Sequence, residues 1–181
     1  MKKRRIMLVS SLILVILLVA GGTMAWFTAT ADPVVNEFKA GTVIIRVGEC
    51  FNACDAANVN PGDCIQKHVK FYNDGTKRMF VRVELDAKFI DETLEMDGVV
   101  SYDIGADWVL HTDGYYYYTK EVAPLTGKTS EIISEVCFDG PAMDNTYQGA
   151  KFTLTVKSEA IQVTNGAALA EWGVNPLSLA P

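Results

Sequence analysis

Histidine is scarce in this sequence, in which 181 residues include only His68 and His111. A catalytic zinc site usually takes about three protein ligands, often two histidines one helical turn apart with a glutamate as the base. Neither histidine belongs to a His-Glu-x-x-His run, and both fall in segments that favour strands. We therefore expect no zinc peptidase centre, no catalytic residue, no metal and no cofactor. The two histidines are interpreted as surface or edge-strand residues.

Acidic residues are absent from the start of the chain, where none precedes Asp32. Lys-Lys-Arg-Arg at positions 2–5 is followed by a strongly apolar run over residues 6–20 and then by the small residues Thr23 and Ala25. A basic region, an apolar region and a small-residue cleavage site, in this order, are typical of a secretory signal peptide. The rest of the chain is therefore predicted to lie outside the cytoplasmic membrane.

The expected cleavage site follows Ala25, which makes Trp26 the first residue of the secreted chain. A retained membrane anchor is the alternative, but the strongly apolar part is shorter than the roughly 18 or more residues that a stable span requires. We therefore predict a removed signal peptide over residues 1–25 and a single secreted domain over residues 26–181. Contact with a membrane is expected only through the uncleaved signal peptide.

Positive charge is sparse after the signal peptide. Four of the 16 basic residues lie in the first five positions and all 22 acidic residues lie later, which leaves 12 basic against 22 acidic residues and a formal charge of −10. Such a surface repels phosphate backbones and anionic lipids. We expect no nucleic-acid partner for the secreted domain.

Sustained helical periodicity is also missing, and the dominant apolar period is two. Residues 79–89 and 151–160 alternate between an apolar and a mainly polar row, and Asp113-Gly114 is typical of a tight hairpin turn. Several short strands divided by turns, without helical crossovers, predict an all-β antiparallel sandwich. Further strands are predicted over residues 42–47, 65–72, 107–112, 115–120 and 130–138, and a turn or two of helix over residues 91–97 or 167–172.

Cys50, Cys54, Cys64 and Cys137 form an even set in a chain predicted to be exported, which favours disulfides over free thiols. All three pairings are open. Cys64 is expected to pair with Cys50 or Cys54, because these three cysteines bracket a loop with little apolar material of its own. A four-cysteine metal site is the alternative, and the spacings fit it poorly.

A tyrosine cluster and an acidic cluster are interpreted as structural features. The four tyrosines at positions 115–118 place two rings on each face of a strand, so two are expected to pack inward and two to face outward. The acidic residues within positions 91–97 lack the spacing of a calcium loop and are interpreted as a solvated turn.

Five segments resemble a known family. Gly-Gly-Thr-Met-Ala-Trp-Phe-Thr at positions 21–28, followed by Asn-Glu-Phe-Lys-Ala-Gly-Thr at 36–42, resembles the opening of the TasA/camelysin family of Gram-positive bacteria. Asn-Pro-Gly-Asp at 60–63, Phe-Tyr-Asn-Asp-Gly at 71–75 and Asn-Thr-Tyr-Gln-Gly at 145–149 are further matches in family order. The resemblance implies processing by a SipW-type signal peptidase, a jelly-roll-like β-sandwich and secretion to the biofilm matrix or the cell surface.

The resemblance also implies self-association into extracellular fibres, so we predict a secreted, non-enzymatic structural subunit. Residues 26–40 form the N-terminal segment, in which Phe27, Ala29 and Ala31 alternate with threonines after Trp26. Such a segment is a candidate donor strand for the open sheet edge of a neighbouring subunit. A camelysin-type secreted or cell-surface metalloprotease and a monomeric wall-associated binding module are the alternative functions.

Overall fold

The computed structural model describes residues 2–4, 6–7, 10–11, 13, 40–52, 56 and 59–179. The chain divides into two compact units, Met1–Phe38 and Lys39–Pro181. The described residues of the first unit are helical. Within the described ranges, no helix combines the length and the apolar character needed to cross a membrane.

The second unit is built mainly from antiparallel strands. Its strands are β1 (Ile45–Phe51), β2 (Cys64–Asn73), β3 (Met79–Phe89), β4 (Val100–Ile104), β5 (Trp108–Leu110), β6 (Tyr116–Tyr118), β7 (Ile133–Phe138) and β8 (Phe152–Gln162). One α-helix, α1 (Ala167–Trp172), and 3-10 turns at Asn145–Tyr147, Thr164–Gly166 and Pro176–Ser178 complete its described part. Sheet A has the strand order β1-β2-β7-β4 and sheet B the order β5-β6-β3-β8. The prediction of an all-β antiparallel sandwich is confirmed.

The core lies between the two sheets, because alternate side chains of each strand point inward. Met79, Val81 and Val83 of β3 are fully buried, as is Phe71 of β2. The Phe71 ring meets the Trp108 ring edge-on, with the centroids 5.8 Å apart. Burying each side chain of this size stabilises the fold by about 1.5–3 kcal/mol, so this row fixes which face of each strand turns inward.

The longest pairing joins β3 to β8 in unbroken register, from Met79 opposite Gln162 to Phe89 opposite Phe152. These strands match the predictions for residues 79–89 and 151–160. The predicted hairpin at Asp113-Gly114 is also confirmed, since β5 pairs with β6 and Gly114 adopts a φ of +87°. A positive φ of this kind favours glycine.

The first strand differs from its prediction. β1 begins and ends later than residues 42–47, because it pairs with β2 as far as Phe51 opposite Lys67. Thr42 and Ile44 instead accept backbone hydrogen bonds from the turn that follows β2. Gly48 lies within β1, where the Tyr72 ring comes within 2.5 Å of the position that a Cβ would occupy.

Of the two segments predicted as possible helix, one is helical and the other forms turns. Residues 167–172 form α1, as predicted. Residues 91–97 form turns, in which the Asp91 carboxylate accepts hydrogen bonds from the backbone N–H and the hydroxyl of Thr93. These bonds lower the pKa of the Asp91 carboxyl. An aspartate side chain that binds the backbone two residues later favours a turn over a helix.

Candidate functional site

The edge strand β1 exposes apolar side chains that belong to the core side of sheet A. Val47 and Phe51 pair with Phe71 and Lys67 of β2. Directly opposite residues of an antiparallel pair lie on the same face, so Val47 lies on the same side as the fully buried Phe71. Val47 and Phe51 are nevertheless each 46% exposed. The core side of β1 is therefore only partly covered.

Both long edge strands carry ion-paired charges, which on β1 are Arg46 with Asp74 and Glu49 with Lys67. On the outer face of β8, Lys157 Nζ lies 3.2 Å from Glu84 Oε2, and Glu159 binds Arg82. Charged side chains on an edge strand oppose pairing with another chain. The remaining edges, β4 and β5, have five and three residues, against seven in β1. Among the described strands, β1 thus combines edge length with exposed apolar surface.

A disulfide joins the middle strands of sheet A. Cys64 of β2 lies directly opposite Cys137 of β7, and their sulfurs are bonded with the Cα atoms 4.0 Å apart. The prediction of at least one disulfide is confirmed, but the expected pairing of Cys64 with Cys50 or Cys54 is wrong. Cys50 is an exposed free thiol near the end of β1, and Cys54 lies outside the described residues. Cys64 pairs with Cys137 because β2 and β7 are neighbouring strands, although the two cysteines are far apart in the sequence.

Glu135 joins the two cysteines on the outer face of sheet A. It precedes Cys137 by two residues on β7, so both side chains point to the same face. One carboxylate oxygen and the two sulfurs all lie within 4.8 Å of one another. Among the described residues this is the one group of three metal-ligating side chains at such distances. No sequence pattern distinguishes Glu135, which becomes a neighbour of Cys64 only through strand pairing.

His68 lies on the same face, but on an internal strand rather than at the edge. Its Nδ1 is 2.9 Å from Oε2 of Glu131, and its Nε2 is 3.3 Å from Oε1 of Gln66. Lys70 Nζ lies 3.9 Å from the other oxygen of Glu131. This histidine therefore takes part in a polar network and does not join the cysteine group.

His111 follows β5 in the other sheet. Its Nδ1 is 3.3 Å from Oδ1 of Asp113, and its ring stands edge-on to the Tyr117 ring. The two histidines lie on different sheets, and neither belongs to a group of three ligands among the described residues.

The outer face of sheet B carries an arginine network. Arg82 donates two hydrogen bonds to Oε2 of Glu159, at 2.9 and 2.7 Å, and a third at 3.2 Å to the Tyr117 hydroxyl. Its guanidinium lies 4.1 Å from the centroid of the Tyr115 ring and 4.7 Å from that of Trp172. Planar stacking and paired donors are what arginine offers over lysine. The network ties α1 to sheet B.

Asp113 extends the arginine network, since the Tyr117 hydroxyl donates to its Oδ2 at 2.7 Å. Burial acts to raise the pKa of the Asp113 carboxyl, but the hydrogen bonds from the Tyr117 hydroxyl and the Tyr115 backbone N–H outweigh it and lower the pKa. Burial and the bond to Asp113 raise the pKa of Tyr117. Tyr116 and Tyr118 pack against or into the core, so the predicted split of the four rings between two faces is confirmed. Tyr117 does not remain exposed as expected, because it is fully buried on the outer face beside Trp172.

The remaining predicted site residues lie outside the described residues. They are the cleavage-site residues Thr23, Ala25 and Trp26 and the donor-strand residues Phe27, Ala29 and Ala31.

The family model described as camelysin metallo-endopeptidase matches residues 1–111. The chain belongs to this family. The TasA/camelysin resemblance is thereby confirmed, and the matched region includes β1 to β5. No curated protein is significantly similar to the chain.

The family corrects one expectation. A chain without enzymatic activity was predicted, and the description of its family as a metallo-endopeptidase contradicts that prediction. The prediction depended on the missing histidine motif, yet thiolates and carboxylates also bind zinc. Cys64, Cys137 and Glu135 supply these ligand types, and they fit a metal only if the bond between the two sulfurs is broken.

Proposed function

We propose that this camelysin-family chain is a secreted subunit of extracellular fibres and that subunits associate along β1. The partly covered core side of this edge strand carries the proposal. A SipW-type peptidase removes residues 1–25, and residues 26–32 of one subunit then pair with β1 of the next. In that arrangement the alternating row Phe27, Ala29 and Ala31 of the donor lies on the same side as Val47 and Phe51 of the acceptor.

The free-energy gains of strand pairing are similar in size to the cost of association. About six backbone hydrogen bonds contribute about 1 kcal/mol each, and burial of Phe27 contributes about 1.5–3 kcal/mol. Completing the burial of Val47 and Phe51, each 46% exposed, adds about 1 kcal/mol per side chain. Association costs about 4–15 kcal/mol. Fibres are therefore expected to form above a threshold concentration, and only after cleavage frees the donor strand.

The test compares edge variants of the secreted chain, residues 26–181. Val47→Lys places a charge on the core side of β1, and Leu110→Lys is the matched control on the short edge strand β5, where Leu110 is 57% exposed. We expect Val47→Lys to remain a folded monomer and Leu110→Lys to form fibres, as seen by sedimentation and negative-stain microscopy. Deletion of residues 26–32 should give the same monomer. Fibres from Val47→Lys or from the deletion variant would refute the proposal.

A second candidate function is a secreted or cell-surface metal-dependent endopeptidase activity, which the description of the matching family favours. The monomeric Val47→Lys variant separates this activity from assembly. Cleavage of an unfolded protein substrate that stops on addition of a chelator and returns with Zn²⁺ would support it. Purified chain that cleaves nothing with or without Zn²⁺ would count against it.

A further inference from the structure

We propose that Cys64, Cys137 and Glu135 form a thiol-gated site for a divalent cation of the Zn²⁺ class. In the oxidised protein the bond between the two sulfurs closes the site. Reduction of this bond opens it. The proposal concerns the outer face of sheet A and does not depend on fibre formation.

The distances suit a tetrahedral cation after a small movement. Zinc lies about 2.3 Å from a thiolate sulfur and about 2.0–2.2 Å from a carboxylate oxygen, which places two sulfurs about 3.8 Å apart. The three ligand atoms already lie within 4.8 Å of one another. The two sulfurs separate once their bond is broken, and rotation about the Cα–Cβ bond of each cysteine allows them to reach this spacing. Three protein ligands leave the fourth position for water, as in catalytic zinc sites.

Backbone hydrogen bonds, in addition to the disulfide, hold the strands around the site. β2 lies between β1 and β7, and β7 lies between β2 and β4, so both cysteines stand on internal strands. The Phe138 N–H donates to the Asp63 carbonyl at 2.9 Å, and the Gly62 N–H donates to the Phe138 carbonyl at 2.8 Å. These two bonds join the same segments beside Cys137. The ligand positions are therefore expected to persist when the sulfurs separate.

Glu135 is available as a ligand. Among the described residues, its carboxylate has no hydrogen-bond or ion-pair partner, although the side chain is half-buried. Carboxylates in this situation gain from a cation, since partial burial removes some of their hydration. Cys64 is exposed, so a reductant can reach its sulfur. Exposed disulfides are more readily reduced than enclosed ones.

Opening the site requires a low-molecular-weight thiol as the reductant. Two thiol molecules supply two electrons and two protons, the bond between Cys64 and Cys137 breaks, and the reductant becomes its own disulfide. The cation then displaces one proton from each cysteine and binds the two thiolates. Because ligands must be deprotonated, binding weakens as the pH falls.

The test uses the secreted chain with Cys50→Ser and Cys54→Ser, so that Cys64 and Cys137 are the only thiols. Co²⁺ replaces Zn²⁺ as a spectroscopic probe, because thiolate ligation gives it a charge-transfer absorption. We expect the reduced protein to bind one Co²⁺ with this absorption, to release it to Zn²⁺ and to unfold at a higher temperature with metal. The oxidised protein should bind none.

Two carboxylate variants of the same face sharpen the test. Glu135→Gln should weaken Co²⁺ binding at least about tenfold while keeping the thiolate absorption, and Glu131→Gln should change neither. The proposal fails if folded, reduced protein gives no thiolate absorption, or if the two variants behave alike. If reduction removes the strand signal in circular dichroism, its return on addition of Zn²⁺ supports the site, and its continued absence overturns it.

Discussion

Removal of the Cys64–Cys137 disulfide should lower the free energy of unfolding by about 4 kcal/mol. The bridge closes a loop with a sequence separation of 73 residues. The loop-entropy relation gives about 4.4 kcal/mol at 25 °C for a loop of this length. The pairing of Cys64 with Cys50 or Cys54 would have closed a much shorter loop, worth about 2–3 kcal/mol. The observed pairing thus stabilises the sandwich more than the expected one would.

The measurement is guanidinium unfolding of the secreted chain in which Cys50 and Cys54 are serine. The oxidised protein is compared with a variant that also carries Cys64→Ser and Cys137→Ser. A loss of about 4 kcal/mol corresponds to a fall in Tm of roughly 10–15 °C for a chain of this size. A difference below about 1 kcal/mol would refute the argument from loop length.

Two further predictions concern the arginine network on sheet B. Arg82→Lys should cost about 2 kcal/mol of stability in urea unfolding, because lysine loses a paired donor and the stacking between two rings, whereas Glu84→Gln, at an exposed ion pair, should cost less than about 0.5 kcal/mol. The lowered pKa of Asp113 implies a contribution that is present above its unfolded pKa of about 3.9 and is lost as the pH falls through its lower folded pKa. Asp113→Asn should therefore flatten the dependence of Tm on pH below about pH 4, and an unchanged slope would contradict this assignment.

Strands with one apolar and one polar row could be predicted from the sequence. β3 alternates over eleven residues, and its partner β8 alternates over the same length. A shift of one residue in such a strand would expose every core side chain. The alternating pattern therefore predicts which side of each of these two strands faces the core, even without knowledge of its partner strand.

β4 was not predicted. Val100, Tyr102 and Ile104 alternate over only five residues, and a run this short after the turn at Gly98 carries little periodic signal. It becomes a strand because β7 supplies an open partner edge. The end of β1 beyond Val47 was missed for the same reason, since pairing with β2 extends it. The local sequence does not indicate whether a neighbouring strand is present to pair with.

The candidate site was predicted in composition but not in arrangement. The four cysteines indicated a cross-link, yet the pair that forms lies 73 residues apart. Glu135 carries no local signal that separates it from other acidic residues. Both facts depend on β2 and β7 lying side by side, which is a property of strand order rather than of any short motif.

The two sheets differ in what covers their outer faces, and this difference indicates which face is available for binding. On sheet B, Trp172 of α1 lies over Arg82 and stands 5.8 Å from the Tyr117 ring, so this face is closed by its own chain. On sheet A, Cys64 is exposed and Glu135 is only half-buried. Substitutions in the arginine network should therefore change stability first, whereas substitutions of Glu135 on sheet A, which leave the disulfide in place, should change binding while the fold persists. A variant of Arg82 that stays fully stable but no longer assembles would contradict this division, because it would place an interaction surface on the covered sheet.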